Sequence, residues 1–196
     1  MAGESHADVR LDQFSSRGFD RGASRIMETL WVAIGLPLIS SWVPGSAWRV
    51  GLLRSFGADI GKGTVWKPRV RVKFPWKLVV GNYSWIGENA WIDNLAGVTI
   101  GNHACISQGV YICTGSHDWS SPRFELITRE IEVGNNAWVG AKSSLAPGTK
   151  MYEGSVLTLG SVAHGTLSSW SVYTGNPAQV VRERVVTDGL DTELST

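Results

Sequence analysis

The sequence predicts an all-β solenoid over residues 57–186, preceded by an N-terminal helical arm over residues 1–56. Three observations carry that expectation. From Ile60 onward, branched apolar residues recur every sixth position; most are followed by a glycine or another small residue; and a further small residue stands four places on. A period of six fits neither a helix of 3.6 residues per turn nor the two-residue alternation of an ordinary strand. The segment is also too rich in glycine and β-branched residues to be helical. Three hexapeptides close one triangular coil of about eighteen residues, and stacked coils bury the branched residues in continuous columns.

The arm comes first. Between Glu28 and Arg49 no residue is charged, and Leu30, Trp31, Ile34, Leu38, Ile39 and Trp42 are among its apolar members. That length could span a bilayer, but Gly35, Pro37, Ser40, Ser41, Pro44 and Gly45 interrupt it. A helix from Ser24, broken near Pro37, is expected instead, with the stretch through Trp48 to Phe56 capping the first coil. An in-plane membrane contact is the alternative for this segment.

The coils then follow in order. Ile60 and Trp66 belong to the first, before an insertion around Pro75. Val80, Ile100, Val133 and Met151 should form one interior column. Ile86, Ile106, Val139 and Leu157 form the second, and Ile92, Ile112, Leu145 and Ala163 the third. The neighbouring glycines are expected to permit corner angles that a side chain resists. One clear interruption, His117 through Glu132, is expected to loop out, and residues 187–196 to form a flexible tail.

Composition bounds the function. With 43% hydrophobic and 18% charged residues the chain is not disordered. A net charge of +1 without a Lys/Arg block makes nucleic acid a poor partner. Cys105 and Cys113 cannot build a disulfide framework, and no signal peptide opens the chain, so a cytoplasmic protein is expected. Ten tryptophans need an explanation. Trp85, Trp91, Trp138, Tyr111 and His117 occupy an outward hexapeptide position, where exposed aromatics call for a subunit interface or a ligand groove. Loops on a rigid scaffold concentrate function. His117, at the root of the interruption, is of a type suited to accept a hydroxyl proton near neutral pH.

The repeat, the segment Cys113-Thr114-Gly115-Ser116-His117-Asp118-Trp119 and the terminal Gly175-Asn176-Pro177-Ala178 resemble hexapeptide-repeat acyltransferases with a left-handed parallel β-helix. Trp42-Val43-Pro44-Gly45-Ser46, Trp91-Ile92-Asp93-Asn94-Leu95 and Ala137-Trp138-Val139-Gly140-Ala141 narrow the resemblance to acetyltransferases of colanic acid and related exopolysaccharide biosynthesis. It extends over about residues 25 to 185. The resemblance implies left-handedness, acetyl-CoA as donor, a saccharide acceptor, no metal and a homotrimer with sites between subunits. It implies His117 as general base and Asn94 near the acceptor and the developing oxyanion. Asp93 would bind the acceptor or make a corner hydrogen bond, and Asp118 would orient His117 or begin the loop. Trp138, Ala141, Leu159, His164 and Arg182 fall where the coenzyme groove is expected. His164-Gly165 replaces the family's usual Thr-Lys pair, and Gln179 stands where relatives can carry Arg.

Two other classes fit the solenoid. A γ-type carbonic anhydrase holds zinc with three histidines, but here His103 and His117 lie fourteen apart and His164 falls in a distant coil. A non-catalytic structural solenoid would give no reason for the interruption at His117.

Overall fold

The computed structural model describes residues 7–187. Six coils of short parallel strands stack as three faces, giving a left-handed β-helix. The first face holds six strands and the third five. The second holds seven, the last two being the antiparallel pair Ser171–Gly175 and Ala178–Glu183, which folds over the C-terminal end. The interior columns fall in the expected register. Val80 pairs with Ile100, Ile100 with Val133 and Val133 with Met151. Ile86, Ile106, Val139 and Leu157 align likewise, as do Ile92, Ile112, Leu145 and Ala163. None of these twelve is more than 2% exposed, so each contributes its full transfer free energy.

The glycines serve a purpose other than the one expected. Gly101 and Gly140 do not adopt positive φ. A Cβ on Gly101 would stand 2.6 Å from the Asn135 backbone nitrogen, and one on Gly140 would stand 2.6 Å from that of Leu159. What these corners require is room for the next coil's backbone. The left-handed angles fall elsewhere, at Tyr83, Asn89, His103, Asn136 and Lys142. An asparagine ladder ties the same edge together. Asn82 Oδ1 accepts from Lys62 N at 2.9 Å, Asn102 Oδ1 from Asn82 N at 2.8 Å and Asn135 Oδ1 from Asn102 N at 2.8 Å.

The arm is helical beyond the expected break. Ser24 caps the start by accepting from Met27 N at 3.2 Å. The helix then runs through Arg25–Leu30, a π-helical turn Trp31–Gly35, and Leu36–Ile39. Pro37 sits just after the wide turn, in the first turn of the final segment, so its missing N–H ends nothing. Trp31, Gly35 and Ile39 are buried against the first coil, where Trp31 Nε1 donates to the Val72 carbonyl at 3.1 Å. A second helix, Ala47–Ser55, adds Val50 and Leu53 to the same core. In that second helix, Arg49 is fully buried without a carboxylate. Its guanidinium donates to the carbonyls of Ile39 (3.3 Å), Ser41 (2.8 Å), Gly45 (2.6 Å) and Val43. Burial pushes its pKa down. Among the described residues no helix is long and apolar enough to cross a membrane.

Candidate active site

The interruption is a hairpin, not an irregular loop. Gly115–His117 pairs antiparallel with Leu126–Thr128, His117 opposite Leu126, and the solenoid resumes at Ile131, which is buried and in register with Val98. His117 ends the outgoing strand at the corner between the third and first faces. Its Nδ1 lies 2.8 Å from the Phe124 carbonyl oxygen, which can only accept, so Nδ1 carries the proton. Nε2 is left as the lone-pair nitrogen. The Phe124 ring stacks on the imidazole at 4.3 Å and 8°, and Phe14, from the arm, meets it edge-on at 5.5 Å. Phe124 holds φ at +53°, costly for a side chain and sustained here by the two contacts it makes with His117. Neither phenylalanine carries a motif in the sequence, and no sequence signal singled either out.

The other expected reaction residues are placed differently. Asn94 is fully buried. Its Oδ1 accepts from Phe74 N at 3.0 Å and its Nδ2 donates to Phe74 O at 2.7 Å, pairing the backbone of the Pro75 insertion like an added strand. That position gives it no access to a thioester carbonyl, so it is a structural residue in this chain. Asp118 does not orient His117, whose Nδ1 is already taken. It accepts from Ser120 N at 3.0 Å and from the Ser120 hydroxyl, which together lower its pKa and start the turn. Asp93 lies on the outward side of the third face, level with Cys113 one coil on. Its Oδ2 accepts from the Tyr111 hydroxyl at 3.1 Å; Oδ1 lies 3.3 Å from Lys73 Nζ and accepts no directed hydrogen bond. Burial, reinforced by Cys113 and Asp93, pushes the Tyr111 phenol far up, so it remains a donor.

The residues expected along the coenzyme divide between two sides of the prism. Trp138 is 47% exposed on the second face, its Nε1 donating to Ser107 Oγ at 2.8 Å. Register runs from Trp138 through Val156 and Val172 to Arg182, three strands or about 14 Å away. Ala141 and the exposed Leu159 lie on the trailing corner of that face, linked by the Gly160 N–H to the Ala141 carbonyl at 2.9 Å. This apolar strip with a cation at one end fits a pantetheine arm leading to phosphate. Cys105 is in register with Trp138, and burial pushes its thiol up. His164 is not on the strip. It follows Ala163 on the third face, at the same corner as His117 and two coils, about 10 Å, beyond Cys113. Thus His117 and the Trp138–Arg182 strip occupy opposite sides of one chain. His103 stacks on Tyr83 at a third corner, and among the described residues no group of three His, Cys, Asp or Glu is placed to hold a metal.

Beside the hairpin lies a groove of about 810 Å³, walled by Ser15–Asp20 of the arm, Trp76 and Lys77, the Leu95–Thr99 stretch and Glu125–Glu130. It mixes aromatic surface with both signs of charge. Leu126 in its wall is the hairpin partner of His117.

A β-helix of hexapeptides with a tautomer-fixed histidine at the root of a hairpin defines the class: a hexapeptide-repeat acyltransferase. No family model matches the chain. It is 40% identical over 174 residues to the protein of Escherichia coli K12 named as the colanic acid biosynthesis acetyltransferase WcaF, covering 88% of this chain and 94% of that one. To the galactoside O-acetyltransferase of the same organism it is 25% identical over 138 residues, 69% of this chain and 68% of the other. It superposes with a TM-score of 0.75 on the hexapeptide-repeat acetyltransferase VCA0836 of Vibrio cholerae complexed with acetyl-CoA, at 25% identity over 89% of this chain and 97% of that one. The chain belongs to the WcaF family of hexapeptide-repeat acetyltransferases.

Proposed function

We propose that this protein is an acetyl-CoA-dependent O-acetyltransferase acting on a hydroxyl of a saccharide in polysaccharide or glycolipid assembly. The observation that carries this reading is the Nδ1 contact of His117 with the Phe124 carbonyl, which presents Nε2 as a base. The acceptor hydroxyl gives its proton to Nε2 as its oxygen attacks the thioester carbonyl. The tetrahedral intermediate then collapses, breaking the carbon–sulfur bond, and the departing thiolate takes the proton back from Nε2. With Asn94 buried, a backbone N–H is the candidate donor to the oxyanion.

The saccharide is assigned to the groove beside the hairpin, where Trp76 offers a stacking surface and Glu125 and Glu130 offer hydroxyl acceptors. Asp93 is not part of that groove's wall, and its buried Oδ1 faces Lys73 Nζ at 3.3 Å, so it is left out of the acceptor site. Trp138, Ala141, Leu159 and Arg182 are assigned to acetyl-CoA. Because they sit opposite His117 in one chain, the site is completed by a neighbouring copy, the second face of one solenoid meeting the hairpin corner of the next. A closed ring of three satisfies that geometry and covers Trp85 and Trp138, both about half exposed in the single chain. The donor and the two free cysteines favour the cytoplasm.

The direct test is release of free thiol from acetyl-CoA against a panel of free, nucleotide-linked and lipid-linked sugars. Acceptor-dependent release, lost in His117→Ala, is expected. Release that no saccharide stimulates would refute the assignment.

A further inference from the structure

The outer surface of the arm is apolar and uncovered. On the side of the first helix away from Trp31 and Ile39, Ile26, Leu30, Ile34 and Leu38 recur every fourth residue and are 44–74% exposed; Trp42, at 73%, and Val43 continue the patch. No charge interrupts it between Glu28 and Arg49. The buried side of the same helix closes the first coil, so the apolar side looks outward from the end of the solenoid. In the ring of three proposed above, on which this point rests, neighbours packed side by side along the faces would leave that end free.

Charge is distributed unevenly along the same axis. Residues 7–77 carry twelve Lys or Arg against five Asp or Glu, a net +7, whereas residues 78–187 carry six against eight, a net −2. The overall charge of +1 conceals this polarity. The cations stand at the margin of the apolar patch. Arg25 begins the helix, and the Arg69 backbone N–H donates to the Ser41 carbonyl at 3.2 Å, which sets Arg69 beside Trp42, with Lys67 two residues before it. Fifteen helical residues, Arg25 through Ile39, rise only about 22 Å, short of a hydrocarbon core of about 30 Å. The helix therefore has the length to lie in a membrane surface, not to cross one.

We propose that the capped end of the solenoid docks on an anionic phospholipid surface. The Ile26–Val43 face would lie at the boundary between headgroups and acyl chains, with Arg25, Lys67 and Arg69 on lipid phosphates. Apolar insertion and a basic margin supply the two signals that reversible attachment needs. In a ring of parallel solenoids the three capped ends share one plane, so three patches engage together and weak single contacts multiply.

Flotation of the full-length protein with vesicles tests this. Vesicles with 30% phosphatidylglycerol in phosphatidylcholine should bind the protein at least tenfold more tightly than phosphatidylcholine alone, and raising the salt from 0.1 to 0.5 M should weaken that binding. Ile34→Ser/Leu38→Ser/Trp42→Ser, all at exposed positions, should lower partitioning at least tenfold while leaving the melting temperature and the mass by light scattering unchanged. Lys67→Glu/Arg69→Glu should lower binding to anionic vesicles only. Failure to float with anionic vesicles overturns the proposal. So does a smaller oligomer in the triple variant, since the face would then be a contact between copies.

Discussion

At the scale of single residues, the Phe124 carbonyl decides what His117 can do. A histidine held through Nδ1 has one orientation and one tautomer, so as the proposed base it need not be reorganised as the acceptor hydroxyl arrives. His117→Ala should lower kcat about a hundredfold or more, with acetyl-CoA binding and the melting temperature retained; steady-state rates beside a CoA titration check it. Phe124→Gly separates the ring from the carbonyl. Glycine accepts the φ of +53° and keeps the carbonyl, so only the stack on His117 is lost. We expect kcat to fall about three- to tenfold with little change in stability, as positioning is loosened. A melting temperature that falls as far as activity would mark the ring as packing alone. The place of the histidine at the root of the hairpin was legible in the sequence, because it stands where the hexapeptide period stops. The carbonyl that holds it was not, since a backbone group in a hairpin leaves no residue-type signal. Asn94 was misread for a related reason. An amide after a strand looks available for a ligand, and only the fold shows that the backbone of Phe74, twenty residues earlier, consumes it.

At the scale of elements, the coils were legible down to register because one burial requirement is repeated many times; each column is an average over four residues. The arm and hairpin were less so, each being a single instance without repetition. Pro37 illustrates the difference. Its local cost is real, but a π-helical turn ahead of it absorbs the missing hydrogen bond, and burial of Trp31, Gly35 and Ile39 carries the helix past it. The turn joining the two helices depends on Arg49, whose guanidinium gathers four of its carbonyls. Arg49→Ala should cost about 3 kcal/mol, since it removes four hydrogen bonds from the turn and opens a cavity. Urea denaturation will show a lower midpoint if this is right. An unchanged midpoint would mean that water replaces the side chain readily.

At the scale of the whole molecule, the division of site residues between two sides of one solenoid makes the copy number a functional quantity. His117→Ala and Leu159→Asp should each be inactive alone. Mixed in one ring of three, they rebuild one site in three where an intact His117 meets an intact coenzyme strip, restoring about a third of full activity. Co-expression with two tags, followed by assay of the doubly purified species, reads this out, and no recovery would place the whole site within one chain. The asparagine ladder has a further consequence, for the order in which the chain folds. Its rungs join residues twenty apart, Lys62 to Asn82 and Asn82 to Asn102, until the rung from Asn102 to Asn135 spans thirty-three. Contacts of such regular, modest separation let coils add one at a time, as a zipper closes. The longer span raises the closure cost of that one step by only about 0.4 kcal/mol. The step also encloses the hairpin that carries His117, so the coils beyond it join the stack only across the segment that bears the proposed base.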